Sequence, residues 1–106
     1  MAHRTHPTQQ DEALRQAQAT DELRTLTTAL LAKIAGYLTR TRPTDTMINA
    51  SRKYLAQSYA TAHARWDTAL ADQIRAALLA AMPTPRTGQT RGEYAIIIRP
   101  ARKADA

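Results

Sequence analysis

A chain of 106 residues supports one domain with one modest core. Its apolar share of 43% comes mostly from Ala and Leu, with no Phe and a single Trp, which favours a helical fold over disorder. There is no Cys, which excludes disulfides, thiol catalysis and Cys-ligated zinc, and no apolar run near the roughly 18 residues that a membrane span needs, so the expected location is the cytoplasm.

In chain order, residues 1–10 read as a flexible arm and Asp11 to Ala19 as a short helix, with Asp11 and Glu12 where the helix dipole favours anions. Together they form a first unit, residues 1–20. Thr20 or Asp21 then reads as the cap of a stronger helix, whose apolar positions Leu23, Leu26, Leu30, Ile34 and Leu38 recur three and four apart. Gly36 lies near its end. Pro43 makes the stretch from Thr39 to Thr44 a connector, and Thr44 or Asp45 is placed to cap the next helix.

From Asp45 to Met82 there is neither Gly nor Pro, and Leu55, Tyr59, Ala62, Trp66, Leu70, Ile74 and Leu78 keep helical spacing. This is either one long helix or two helices joined by a tight turn. On that spacing Trp66 belongs to the core, and Tyr37 and Tyr54 are half-buried. Pro83 and Pro85 end the helical region. Residues 87–92 read as a turn, Tyr94 to Ile98 as a short β-branched strand, and residues 99–106 as a basic tail.

The net charge of +6 is unevenly spread. Residues 1–39 are balanced. Residues 40–66 carry Arg40, Arg42, Arg52, Lys53 and Arg65 against Asp45 alone, and residues 86–106 carry five bases against Glu93 and Asp105. Two basic stretches of this kind imply a polyanionic partner, although the ordinary reading of each single arginine is a solvated side chain.

Within the first stretch, Ser51, Leu55, Ala56, Tyr59, Ala69 and Leu70 keep one register, with Trp66 between them. Upstream stands Ile34-Ala-Gly36-Tyr37, and downstream Arg91-Gly92-Glu-Tyr94-Ala-Ile96. This order resembles the GntR (gluconate-repressor) family of winged helix-turn-helix regulators over residues 21–98. Ala60 stands where that family has its turn glycine, and Trp66 where it has Val. The resemblance implies a mainly α domain with a small β wing and a sharp turn just past Tyr59. It also implies a second helix lying in the major groove of double-stranded DNA. Lys53 then matches a backbone-contacting Arg, His63 and Arg65 fall in the recognition segment, and Arg91 stands at the wing tip. Arg40, Arg42 and Arg52 complete the expected DNA-binding set through phosphate contacts. The function implied is a small regulator of transcription, of plasmid or phage type, acting as a homodimer. No effector domain accompanies the resemblance, so no small-molecule effector is expected.

His3 and His6 stand on the arm and His63 has no second His at i+4, and Ser51 and Ser58 have no nearby His base or nucleophile elbow. Neither a metal, a cofactor nor a catalytic activity is expected. The alternative to the regulator is a non-enzymatic α-helical hairpin with one long helix over residues 45–82, packed on residues 21–38. Such a protein would serve interaction or virion assembly through its Ala/Leu seam.

Overall fold

The computed structural model describes residues 9–100, so most of the expected arm (residues 1–8) and the end of the expected tail (residues 101–106) lie outside the described residues. Four helices follow one another: α1 (Gln9–Arg40), α2 (Asn49–Ala64), α3 (Thr68–Ala81) and α4 (Arg91–Ile98). The mainly α class is the one that forms. Among the described residues the only β pairing is an isolated bridge between Thr46 and Thr90, and no wing is present.

α1 runs unbroken for 32 residues, about 48 Å at 1.5 Å per residue. The boundary expected at Thr20 or Asp21 does not form. Thr20 Oγ1 donates within the helix to the Gln16 carbonyl at 2.9 Å, and the Ala-, Gln- and Leu-rich stretch around it carries no breaker. The expected apolar stripe is real: Leu30, Ile34 and Leu38 are buried, and Leu23 and Leu26 are packed against the core. Residues 11–22 are exposed throughout, so the first half of α1 projects beyond the core and sets the long axis of a 66 × 36 × 21 Å molecule.

The region from 45 to 82 is two helices, and the bend comes later than expected. α2 continues through Ala60, which is buried, and ends at Ala64; residues 65–67 make the turn, and α3 returns alongside. Nothing near Tyr59 breaks a helix, since Ala60, Ala62 and Ala64 are strong helix formers. Asp67 supplies the restart, its carboxylate accepting from the Leu70 amide at 3.0 Å. α2 itself begins at Asn49 without a side-chain cap, so neither Thr44 nor Asp45 caps it. A helical hairpin therefore exists, folded within residues 49–81 rather than built from one long helix. Leu55, Ala56, Ala60 and Ala64 of α2 join Ala71, Ile74 and Leu78 of α3 in the core beneath α1.

The expected strand is the body of α4. Thr90 Oγ1 accepts from the Glu93 amide at 3.1 Å and Glu93 Oε1 accepts from the Thr90 amide at 2.9 Å, a reciprocal capping box that starts a helix. Tyr94, Ala95 and Ile98 are buried at helical spacing, while Ile96 and Ile97 face outward. A strand would have buried Tyr94, Ile96 and Ile98 together.

α4 is hung on the α1–α2 connector. The Arg91 amide donates to the Asp45 carbonyl and the Gly92 amide to the Pro43 carbonyl, both at 2.8 Å, and the Met47 amide donates to the Gln89 carbonyl at 2.7 Å. A Cβ on Gly92 would lie 3.3 Å from both Cβ and O of Pro43, so an added side chain would have to push the connector back by a few tenths of an ångström. Tyr94, fully buried, donates its hydroxyl to the Pro83 carbonyl at 2.6 Å and ties α4 to the end of α3.

The two helical glycines should therefore respond oppositely to alanine. Gly36 lies inside α1 and would press only on the mobile end of Arg40, so Gly36→Ala should raise stability by about 0.5–1 kcal/mol, read as a higher melting temperature. At Gly92 the same change should give no gain or a loss. Tyr94 gives a pH signature. Burial raises its pKa above 10, and the nearby Arg52 guanidinium opposes that rise without cancelling it. The hydroxyl's contribution is complete below pH 10, where tyrosine is neutral in both states, and is lost as pH rises through the raised value. Tyr94→Phe should lower stability by about 1 kcal/mol at neutral pH, and the gap to the parent should narrow in alkaline denaturation curves.

Candidate nucleic-acid interface

Of the seven residues expected to meet DNA, six separate into three groups and His63 stands apart. Two are internal. Arg52 reaches across the hairpin and donates from Nε to the Met82 carbonyl at 2.6 Å and from Nη2 to the Leu79 carbonyl at 3.0 Å, capping the end of α3. Arg91 is 6% exposed; its Nε donates to the Thr41 carbonyl just past α1 at 2.9 Å, and its guanidinium lies 5.6 Å from the Tyr37 ring centre. Both charges sit at helix C-termini, where the dipole favours cations. Arg91 has almost no surface left for a phosphate.

A second group lies around the α1–α2 connector. Arg40 and Arg42 are exposed, and Arg42 makes an ion pair with Asp45 at 3.6 Å. Arg42 is also one of two non-glycine residues with positive φ among the described residues, at 50°.

The third group is on α2 and its exit. Tyr54, Ser58, Thr61 and Arg65 recur at four, three and four residues, which puts them on one stripe, flanked by Lys53 and Gln57. Lys53, Tyr54, Gln57, Thr61 and Arg65 are exposed. Gln57 Nε2 donates to Thr61 Oγ1 at 2.8 Å, fixing the middle of the stripe. From Thr46 to Trp66 the chain contains no Asp or Glu. Neither Lys53 nor Arg65 forms an ion pair among the described residues. His63 is exposed but faces elsewhere, beside Lys33, Tyr59 and Leu30 in the crevice between α1 and α2.

The stripe ends in a strained turn. Arg65 has φ 57° and ψ −111°, the geometry of the first central residue of a type II′ turn, and the Asp67 amide closes it onto the Ala64 carbonyl at 3.1 Å. Glycine is the usual occupant of that position. Trp66, expected in the core, is instead 95% exposed at the apex, and Tyr54, expected half-buried, is 70% exposed. Tyr37 is half-buried as expected. The regular spacing of Trp66 with Leu55 and Leu70 misled because the helix ends two residues before it. The missed signal was Asp67-Thr68, which caps a new helix.

No family model matches the chain, and no curated protein or solved structure is significantly similar to it, so nothing identifies a GntR-type domain here. Among the described residues no three His, Asp or Glu side chains are grouped to hold a metal ion, and no helix is long and apolar enough to cross a membrane.

Because Arg65 occupies a glycine position, stability and charge at this turn can be separated. Arg65→Gly should raise stability by about 1 kcal/mol, read as a higher urea midpoint with an unchanged slope, as relief of backbone strain outweighs the added freedom of the unfolded chain. An unchanged or lowered midpoint would show that the turn is not strained.

Proposed function

We propose that the protein is a non-enzymatic nucleic-acid-binding module that meets the phosphate backbone with the exposed stripe of α2 and the turn at Arg65. The observation that carries this reading is the acid-free face itself. It presents Lys53 and Arg65 without carboxylate partners, between hydroxyl and amide side chains of the kind that bond phosphate oxygens. Arg40 and Arg42 offer further cations at the connector. A regulatory role on DNA, as the family resemblance implies, would follow from occupancy of a site. It would not use a wing or a recognition helix starting after Tyr59. A homodimer would draw on surface outside this stripe, such as the projecting first half of α1.

A second reading, a helical interaction or assembly protein, is favoured by one feature. An open apolar groove of about 370 Å³ lies between α1 and the end of α3, lined by Leu23, Thr27, Leu31, Ala77 and Ala80. Leu14 stands exposed on the projecting part of α1.

Mobility shifts at two salt concentrations separate the readings. Lys53→Ala and Arg65→Ala should each weaken binding across all sequences, and each should reduce the steepness of the salt dependence by about one contact. Arg52→Ala should act mainly by lowering stability, because it uncaps α3. If the Lys53/Arg65 double variant binds like the parent at both salts, the α2 face is not the contact surface, and if the parent itself shifts no nucleic acid at low salt the assembly reading takes its place.

A further inference from the structure

We infer that the turn at Trp66 is a stacking site for unpaired bases, so that the partner is single-stranded nucleic acid in preference to duplex. The inference rests on the nucleic-acid reading and specifies which form of nucleic acid fits.

Four observations converge on it. Trp66 is 95% exposed, the largest exposure of any bulky apolar side chain in the fold, and nothing among the described residues covers it. It stands on a turn whose preceding residue holds a backbone conformation that glycine normally fills, so the indole is presented on a short, closed turn rather than on a loose loop. Beside it lies an open depression of about 440 Å³ bounded by Thr61, Ala62, Arg65 and Trp66, which combines an aromatic wall, a hydroxyl and a cation. A second exposed ring, Tyr54, lies on the same stripe eleven residues before Arg65, about 16 Å along the helix. At the duplex rise of roughly 3.4 Å per nucleotide that length holds at most about five nucleotides, and fewer of a strand stretched over the rings.

Exposed aromatic rings interleaved with cations, with no carboxylate between them, form a track for a single strand. The cations follow the backbone and the rings take the faces of successive bases. A duplex offers no such faces, because each base is already stacked between its neighbours. The nearest carboxylate in sequence, Asp67, is tied down as the cap of α3 and accepts from the Leu70 amide. A purely apolar protein partner would not account for Arg65 beside the ring or for Lys53 further along the same helix.

Trp66 is the only tryptophan, so its fluorescence reports on this turn alone. The full chain is titrated with a 20-nucleotide oligo(dT), the matching oligo(rU) and a 20-base-pair duplex. Intrinsic fluorescence reads the indole, and anisotropy of labelled strands reads affinity. The expected result is quenching by the single strands, tighter binding to them than to the duplex, and a loss of about fivefold or more in single-strand affinity for Trp66→Ala. Trp66→Phe should recover part of that loss, and Tyr54→Ala should add a smaller one. An unchanged helical circular dichroism spectrum for each variant confirms the fold, which an exposed side chain leaves intact. Equal binding to all three ligands without quenching, and still sensitive to Lys53→Ala and Arg65→Ala, overturns the stacking site and leaves the nucleic-acid reading standing. No binding of any oligonucleotide at low salt overturns both.

Discussion

The architecture depends on two loops that hold each other. The connector from Thr41 to Ile48 meets the segment from Pro83 to Thr90 through the Met47–Gln89 backbone hydrogen bond, and the first residues of α4 through the Arg91–Asp45 and Gly92–Pro43 bonds. A helix of eight residues such as α4 is too short to persist in isolation, because nucleation costs more than so few bonds return. Its capping box and its anchorage on Pro43 and Asp45 remove that obstacle. They also deliver Tyr94, Ala95 and Ile98 to the core as one face. Once α4 is in place, the Tyr94 hydroxyl reaches Pro83 and fixes where α3 ends, and Arg52 closes the last carbonyls of α3 from the other side.

This arrangement divides the cations by job, which total charge does not reveal. Arg52 and Arg91 carry full charges, yet both are spent on helix C-termini inside the fold. Arg52 does this with a fork of donors that reaches two separate carbonyls, whereas Arg91 donates to the Thr41 carbonyl alone and lies over the Tyr37 ring. Lys53 and Arg65, close to Arg52 in sequence, have no such partner and remain available to solvent or ligand. Arg42 is intermediate, half-engaged with Asp45 in an exposed pair of little energetic weight.

Much of the helical scaffold was legible in the residues because it depends on local pattern. The stripe from Leu23 to Leu38 defines the buried face of α1, and Pro43 and Pro83 bracket the hairpin region, since neither can donate a backbone bond. The parts that were not legible turn on competition between local signals. Tyr94 to Ile98 has β-branched residues in a row, but the Thr90–Glu93 box and the periodicity of Tyr94, Ala95 and Ile98 decide for helix. The apparent heptad through Trp66 continued across a break that only Asp67 marks. For the site, Lys53 and Arg65 were identifiable by charge. The exposure of Trp66 and Tyr54 and the internal use of Arg52 and Arg91 required tertiary contacts to see.

The strained turn can itself be traced to composition. α2 contributes Ala56, Ala60 and Ala64 to the core, small side chains at four-residue intervals that let a neighbouring helix approach closely. α2 and α3 pack directly on each other, and the chain crosses from one to the other with Arg65, Trp66 and Asp67 alone. Asp67 is committed to capping α3, so reversal of direction falls on Arg65 and Trp66. Arg65 absorbs it with a positive φ, and Trp66, at the outside of the bend, has no neighbour to pack against. Close packing of α2 with α3 thus forces a cation and an indole outward together at the end of an acid-free helix face. A larger residue at Ala60 would push the helices apart and relax the turn, coupling the core of the hairpin to the surface where a ligand would bind.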